Sequence, residues 1–132
     1  MLRRMCKAKI HRATVTEANL NYVGSITIDR ELLEAADILP YEMVQITNLQ
    51  NGTIWQTYVI AADPGSGTIA LNGPPARHFQ PGDQVIILAY GLYGPEELAG
   101  LKPKILFVDE RNRLMEVRHD EAPFEQWPLP EA

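Results

Sequence analysis

The residues best placed to do chemistry in this chain sit in one short run, Tyr22-Val23-Gly24-Ser25. Taken locally, Gly-Ser is a turn, because glycine adopts conformations closed to other residues and serine bonds its own backbone. The same pair also allows a reaction. A serine hydroxyl can attack the carbonyl carbon of the residue before it, and glycine there offers the least steric resistance. The amide becomes an ester. β-Elimination then leaves dehydroalanine, which hydrolyses to a pyruvoyl group and ammonia. Such a step needs a polarised carbonyl and a firmly held backbone.

Other chemistries find less support. The histidines are His11, His78 and His119, and no Gly-x-Ser-x-Gly elbow accompanies them. No His-x-x-x-His or Cys-x-x-Cys spacing points to a metal, so none is expected. Pro64-Gly65-Ser66-Gly67 is glycine-rich, but it joins two strand-like runs instead of opening a helix, which makes it a poor phosphate cradle. The single Cys6 can form neither an internal disulfide nor a thiolate cluster, and it reads as a small strand residue.

The elements that must carry Ser25 are mostly strands. Residues 10–16, 25–29, 43–49, 53–61, 67–72, 84–90, 104–109 and 113–117 are rich in β-branched and apolar residues. Asn51-Gly52 signals a hairpin between the third and fourth of these. The run 84–90 (QVIILAY) reads as a central strand buried on both faces. Helix signals are few. Asp29 can cap a helix over 30–36, with Leu32, Leu33 and Ala36 on one face, and Pro95 can open a short one over 95–99. Closely spaced strands of this kind predict a small all-β barrel or sandwich.

The chain has 132 residues, enough for one domain with a real core. Its net charge of −5 argues against non-specific nucleic-acid binding, which needs clustered cations. A local basic stretch, Arg3, Arg4, Lys7, Lys9 and Arg12, reads as a solvated edge strand, with Lys9 held in reserve. There is no secretory h-region and no apolar run of membrane-spanning length, so a cytoplasmic protein with no membrane partner is expected. The tail over 122–132 carries three prolines and is expected to lie outside the packed domain.

Several separate motifs then recur in an order and spacing that resemble the pyruvoyl-dependent aspartate 1-decarboxylases. They are Lys9-Ile10-His11-Arg12-Ala13-Thr14-Val15-Thr16, Tyr22-Val23-Gly24-Ser25, Asn51-Gly52, Thr57-Tyr58, Leu71-Asn72-Gly73, Pro81-Gly82-Asp83 and Val108-Asp109-Glu110-Arg111-Asn112-Arg113. The resemblance spans about residues 1–118. It implies an all-β double-psi β-barrel, a homotetramer, and self-cleavage between Gly24 and Ser25. Residues 1–24 become the α chain and 25–132 the β chain, with 119–132 a flexible proline-rich tail. Ser25 becomes the covalent pyruvoyl cofactor, on which the substrate amine forms a Schiff base.

The resemblance also implies roles for other residues. Thr57 holds the transient ring during cleavage and later contacts substrate. Tyr58 matches the proton donor; phenols as a class carry their proton at neutral pH. Lys9, Asn72, Gly73, Pro74 and Pro75 fall at substrate-contacting positions, where an Asn amide could donate to an oxyanion. His11 and Tyr22 are supporting polar residues. The implied partner is L-aspartate, decarboxylated to β-alanine for pantothenate synthesis. Cleavage is either spontaneous or assisted by an accessory maturation factor.

Two departures fall where substrate is held. Ile54 stands where many members carry an arginine that clamps a carboxylate. Pro74-Pro75 stands where many have two alanines, and proline has no N–H to offer. Another amino acid as substrate, or an uncleaved non-catalytic barrel, are the alternatives. Should Pro74 and Pro75 remove donors the pocket needs, Gly73 or Ala76 would have to supply them.

Overall fold

The computed structural model describes residues 1–127. The strands are β1 (Arg3–Thr14), β2 (Glu17–Asn19), β3 (Ser25–Asp29), β4 (Met43–Asn48), β5 (Ile54–Ala62), β6 (Ile69–Asn72), β7 (Gln84–Tyr93), β8 (Lys104–Val108) and β9 (Leu114–Arg118). Helix α1 covers Arg30–Ala36, α2 covers Pro95–Leu98, and a 3-10 turn covers Pro74–Arg77. The expected all-β class is therefore what the chain adopts. The strand order is β2-β6-β3-β5-β4-β7-β1-β8-β9. Among the described residues, three parallel pairs (β1 with β8, β2 with β6, β3 with β5) are interspersed with five antiparallel ones, and most neighbours are distant in sequence. This mixed, crossed connectivity is consistent with the barrel-like layout expected.

The core follows from the period-2 pattern of the strands. Ile10, Ile26, Ile28, Ile46, Val59, Leu71, Ile87 and Leu106 are fully buried, with Phe79 and the apolar face of α1 (Leu32, Leu33, Ala36) packed among them. Asp29 caps α1 as anticipated, accepting from the Glu31 N–H at 2.9 Å. The same carboxylate accepts from the Gly65 and Gly67 N–H groups, at 3.1 and 2.9 Å. The glycine-rich turn thus spends its amides on Asp29. It anchors the start of β6, and with it Asn72, against β3.

Three expectations change. β1 is not an edge: it lies between β7 and β8, and begins at Arg3 because its first residues pair with Leu92 and Tyr93. Of its cations only Arg3 and Arg4 are exposed; Lys7, Lys9 and Arg12 are half-buried. β7 is interior but alternates buried with half-buried residues over Gln84–Ala89, so only one of its faces is sealed. Finally, part of the proline-rich tail folds back. Trp127 packs on Phe107 with ring centroids 4.3 Å apart, and Arg118 makes a bidentate ion pair with Glu125. An indole stacked on a core-edge phenylalanine holds residues 119–127 against β8, which composition could not foretell. The rest of the tail, 128–132, lies outside the described residues.

Candidate active site

Ser25 is the first residue of β3, and the ladders on either side decide what surrounds it. On one side β3 runs antiparallel to β6, placing Ser25 opposite Asn72. On the other it runs parallel to β5, with Ile26 beside Val59. Stepping back along both strands brings Tyr58 beside Ser25 and Thr57 beside Gly24. Two strands that are far apart in sequence thereby converge on one peptide bond.

That bond is tightly held. Ser25 is 1% exposed, and its Oγ is buried with no hydrogen-bond partner. Buried hydroxyls are normally paired, so an unpaired one directly after a glycine stands out chemically. Gly73, at φ +74°, presses on the glycine: a Cβ on residue 73 would lie 3.0 Å from Gly24 Cα. Neither the torsion nor the space admits a side chain there. Gly73 is fixed in turn by its N–H donating to the carbonyl of Asn19, at the end of the short strand β2, at 2.9 Å. The Asn72 carbonyl oxygen and the ring of Pro74 also lie close, 3.6 and 3.7 Å from where a Gly24 Cβ would stand.

Asn72 is buried beside Ser25, and its Nδ2 donates to Thr27 Oγ1 at 2.9 Å while Oδ1 has no partner. Thr57 and Tyr58 are half-buried on β5, opposite Val44 and Met43 of β4. The Tyr58 ring stacks on Tyr41 with centroids 5.9 Å apart. Tyr22 is exposed three residues before Ser25, its phenol pushed above the ordinary value by a hydrogen bond to Glu17.

The substrate-side positions look different from the donors anticipated. Pro74 and Pro75 have no N–H. The N–H of Gly73 is taken by Asn19, and that of Ala76 by the Gly73 carbonyl at 2.9 Å. Neither of the two substitutes considered from sequence is therefore free. Ile54 is 61% exposed at the start of β5, an apolar side chain in the place of a clamp.

Lys9 and His11 do not join this cluster within the chain. Both sit on β1, flanked by β7 and β8. Lys9 Nζ pairs with Glu121 at 3.2 Å, and His11 meets Phe107 edge-on, with centroids 5.5 Å apart. Together with Trp127 they line a cavity of about 290 Å³ under the returning tail. His11 is pulled down to about 4, by burial first and then by the positive charges of Lys9 and Arg12. It is a neutral imidazole at pH 7. Cys6 is pushed up, chiefly by burial, so it is a poor thiolate. Among the described residues no three His, Cys, Asp or Glu side chains gather as a metal site would require, and no helix is long and apolar enough to cross a membrane.

Fold and site together define a small mainly-β protein organised around a buried serine that directly follows a closely packed glycine. A model of the family described as aspartate decarboxylase matches residues 1–115. Curated proteins named aspartate 1-decarboxylase are similar along nearly their whole length. One from Desulfitobacterium hafniense is 57% identical over 92% of this chain and 95% of its own. One from Pelotomaculum thermopropionicum is 58% identical over 89% of each. One from Listeria monocytogenes is 59% identical over 86% of this chain and 90% of its own. The chain belongs to the aspartate decarboxylase family.

Proposed function

We propose that this chain is the precursor of a pyruvoyl-dependent decarboxylase that converts L-aspartate to β-alanine and CO2, the β-alanine serving pantothenate synthesis. The observation that carries the self-cleavage reading is the buried, unpartnered Ser25 Oγ next to a Gly24 that Gly73 and Pro74 clamp in place. Sequence identity of 57–59% to proteins named aspartate 1-decarboxylase supports the substrate.

Ser25 Oγ attacks the Gly24 carbonyl carbon, the C–N bond breaks, and the hydroxyl proton ends on the released nitrogen. Thr57, beside Gly24, offers its hydroxyl to the carbonyl oxygen as charge grows there. Loss of the Ser25 α-proton then expels the Gly24 carboxylate. Hydrolysis of the dehydroalanine releases ammonia, leaving chains 1–24 and 25–132. A pyruvoyl group at residue 25 supplies an electron sink for the carbanion left by decarboxylation. The site suits that group: residue 25 is itself buried, and the half-buried Thr57 and Tyr58 and the buried Asn72 border it. Tyr58 delivers the proton that completes the product. Lys9 and His11, which lie away from Ser25 in their own chain, suit a homotetramer in which neighbours share sites. A cytoplasmic setting fits an intermediary-metabolism enzyme of this kind.

The test is a mass measurement and an assay on the purified protein. Two fragments are expected, the larger lighter by one ammonia than a simply hydrolysed chain and trapped by borohydride with substrate, together with β-alanine from L-aspartate. Only intact chain, with and without cell extract that could hold an accessory factor, would mean a non-catalytic barrel.

A second reading, a less acidic amino acid as substrate, draws on two observations: the exposed Ile54 and the engaged N–H groups of Gly73 and Ala76. Ile54→Arg separates the two. A guanidinium at this exposed edge is expected to lower the KM for aspartate about threefold to tenfold with little change in kcat. An unchanged or higher KM, with another amino acid turned over better by the parent protein, favours the second reading.

A further inference from the structure

Asn72 stands between two hydroxyls on one face of the sheet. Ser25 is its direct partner across the β3–β6 ladder, and Thr27, two residues along β3, leaves the strand on the same face. The Asn72 Nδ2 donates to Thr27 Oγ1 at 2.9 Å. A carboxamide is planar, with nitrogen and oxygen on opposite edges. Tying the nitrogen to Thr27 therefore turns the oxygen toward the Ser25 end. The structure leaves two buried polar groups unpaired there, an acceptor, Asn72 Oδ1, and a hydroxyl, Ser25 Oγ, on directly opposed residues. Pairing the one with the other would require the Ser25 side chain to turn about Cα–Cβ.

Resting on the self-cleavage reading, we propose that Thr27 is a positioning residue for that step: it sets the Asn72 amide so that its oxygen, not its NH2, faces the attacking Ser25 hydroxyl. The direction matters. With Oδ1 toward it, Ser25 donates its O–H and keeps its lone pairs for the Gly24 carbonyl carbon. With the amide reversed, Ser25 would accept an N–H on a lone pair that the attack requires. Asn72 removes no proton in this scheme. The hydroxyl proton still passes to the departing nitrogen as the Oγ–C bond forms and the C–N bond breaks.

The experiment follows the intact mass of freshly synthesised precursor over time. Thr27→Val keeps the branched shape but cannot accept, and it is expected to slow cleavage about tenfold or more in a precursor that still melts cooperatively, at a lower midpoint because the buried Asn72 NH2 loses its acceptor. Thr27→Ser restores the acceptor and cleaves at close to the parental rate. In an Asn72→Asp background both edges carry oxygen, so Thr27→Val has little further effect. The proposal is overturned if Thr27→Val cleaves at the parental rate, if Val and Ser slow it equally, or if the Val effect persists unchanged beside Asp. A parental chain that never cleaves defeats the self-cleavage reading instead, and the role of Thr27 with it.

Discussion

Ser25→Ala yields a single intact chain with no decarboxylase activity. The substitution removes the one atom that can attack Gly24. Alanine leaves the β3 ladders to β5 and β6 unaltered, because these are made by backbone groups. The loss cannot be ascribed to unfolding. Ser25 Oγ has no hydrogen-bond partner, so its removal strands no other group and takes a buried, unsatisfied polar atom out of the interior. Stability is expected to hold or to rise by up to ~1 kcal/mol. Thermal melting and intact mass on one preparation check both halves. A cleaved Ser25→Ala protein, or an intact one that still releases CO2 from aspartate, defeats the mechanism. An intact, inactive and unfolded one contradicts the energetic argument while leaving the chemistry standing.

How far the sequence disclosed this site depends on the range of the interactions involved. β3 and α1 were legible to the residue, since alternation at Ile26 and Ile28 and a cap at Asp29 are local signals. The hairpin at Asn51-Gly52 was legible too, with Gly52 at φ +73° as its turn requires. What local patterns miss is contact between distant segments. β2 has three residues and no periodicity to read, yet Asn19 holds Gly73, and Gly73 holds Gly24. Asn112 is a second case. Buried at φ +62°, it accepts from the Thr14 N–H and donates to the Thr14 and Gly67 carbonyls. It thereby ties β1 and the turn before β6 to the β8–β9 loop. In the sequence its segment reads as the turn between two late strands and no more, because no spacing rule announces a side chain that satisfies backbone groups 98 positions away. Thr27 gives no local signal for the same reason: alone it is one more β-branched strand residue, and its significance lies in the register that sets Asn72 across from Ser25.

Tyr58→Phe is expected to cleave normally and turn over slowly. The two readouts part because they use different groups. Self-cleavage draws on Ser25, Gly24 and the hydroxyl of Thr57, and the phenol takes no share in it. The ring itself stays, and its stacking on Tyr41 at 5.9 Å needs no hydroxyl, so β5 keeps its place beside β3. Thr57 is therefore undisturbed. Removing the proton donor leaves water as the source for the carbanion's proton, and general-acid catalysis of this kind is worth roughly 10²–10⁴-fold. The fall belongs in kcat, with KM for aspartate little changed, since a group that acts after CO2 has left adds little to ground-state binding. A matching rise in KM would move Tyr58 to substrate binding. Normal turnover would free it of any role in the reaction, leaving Tyr22, exposed and bonded to Glu17, as the other phenol close to Ser25 in the chain. Slow cleavage in Tyr58→Phe would place its hydroxyl in maturation instead, and the division of labour along β5 between Thr57 for the cut and Tyr58 for the turnover would fail.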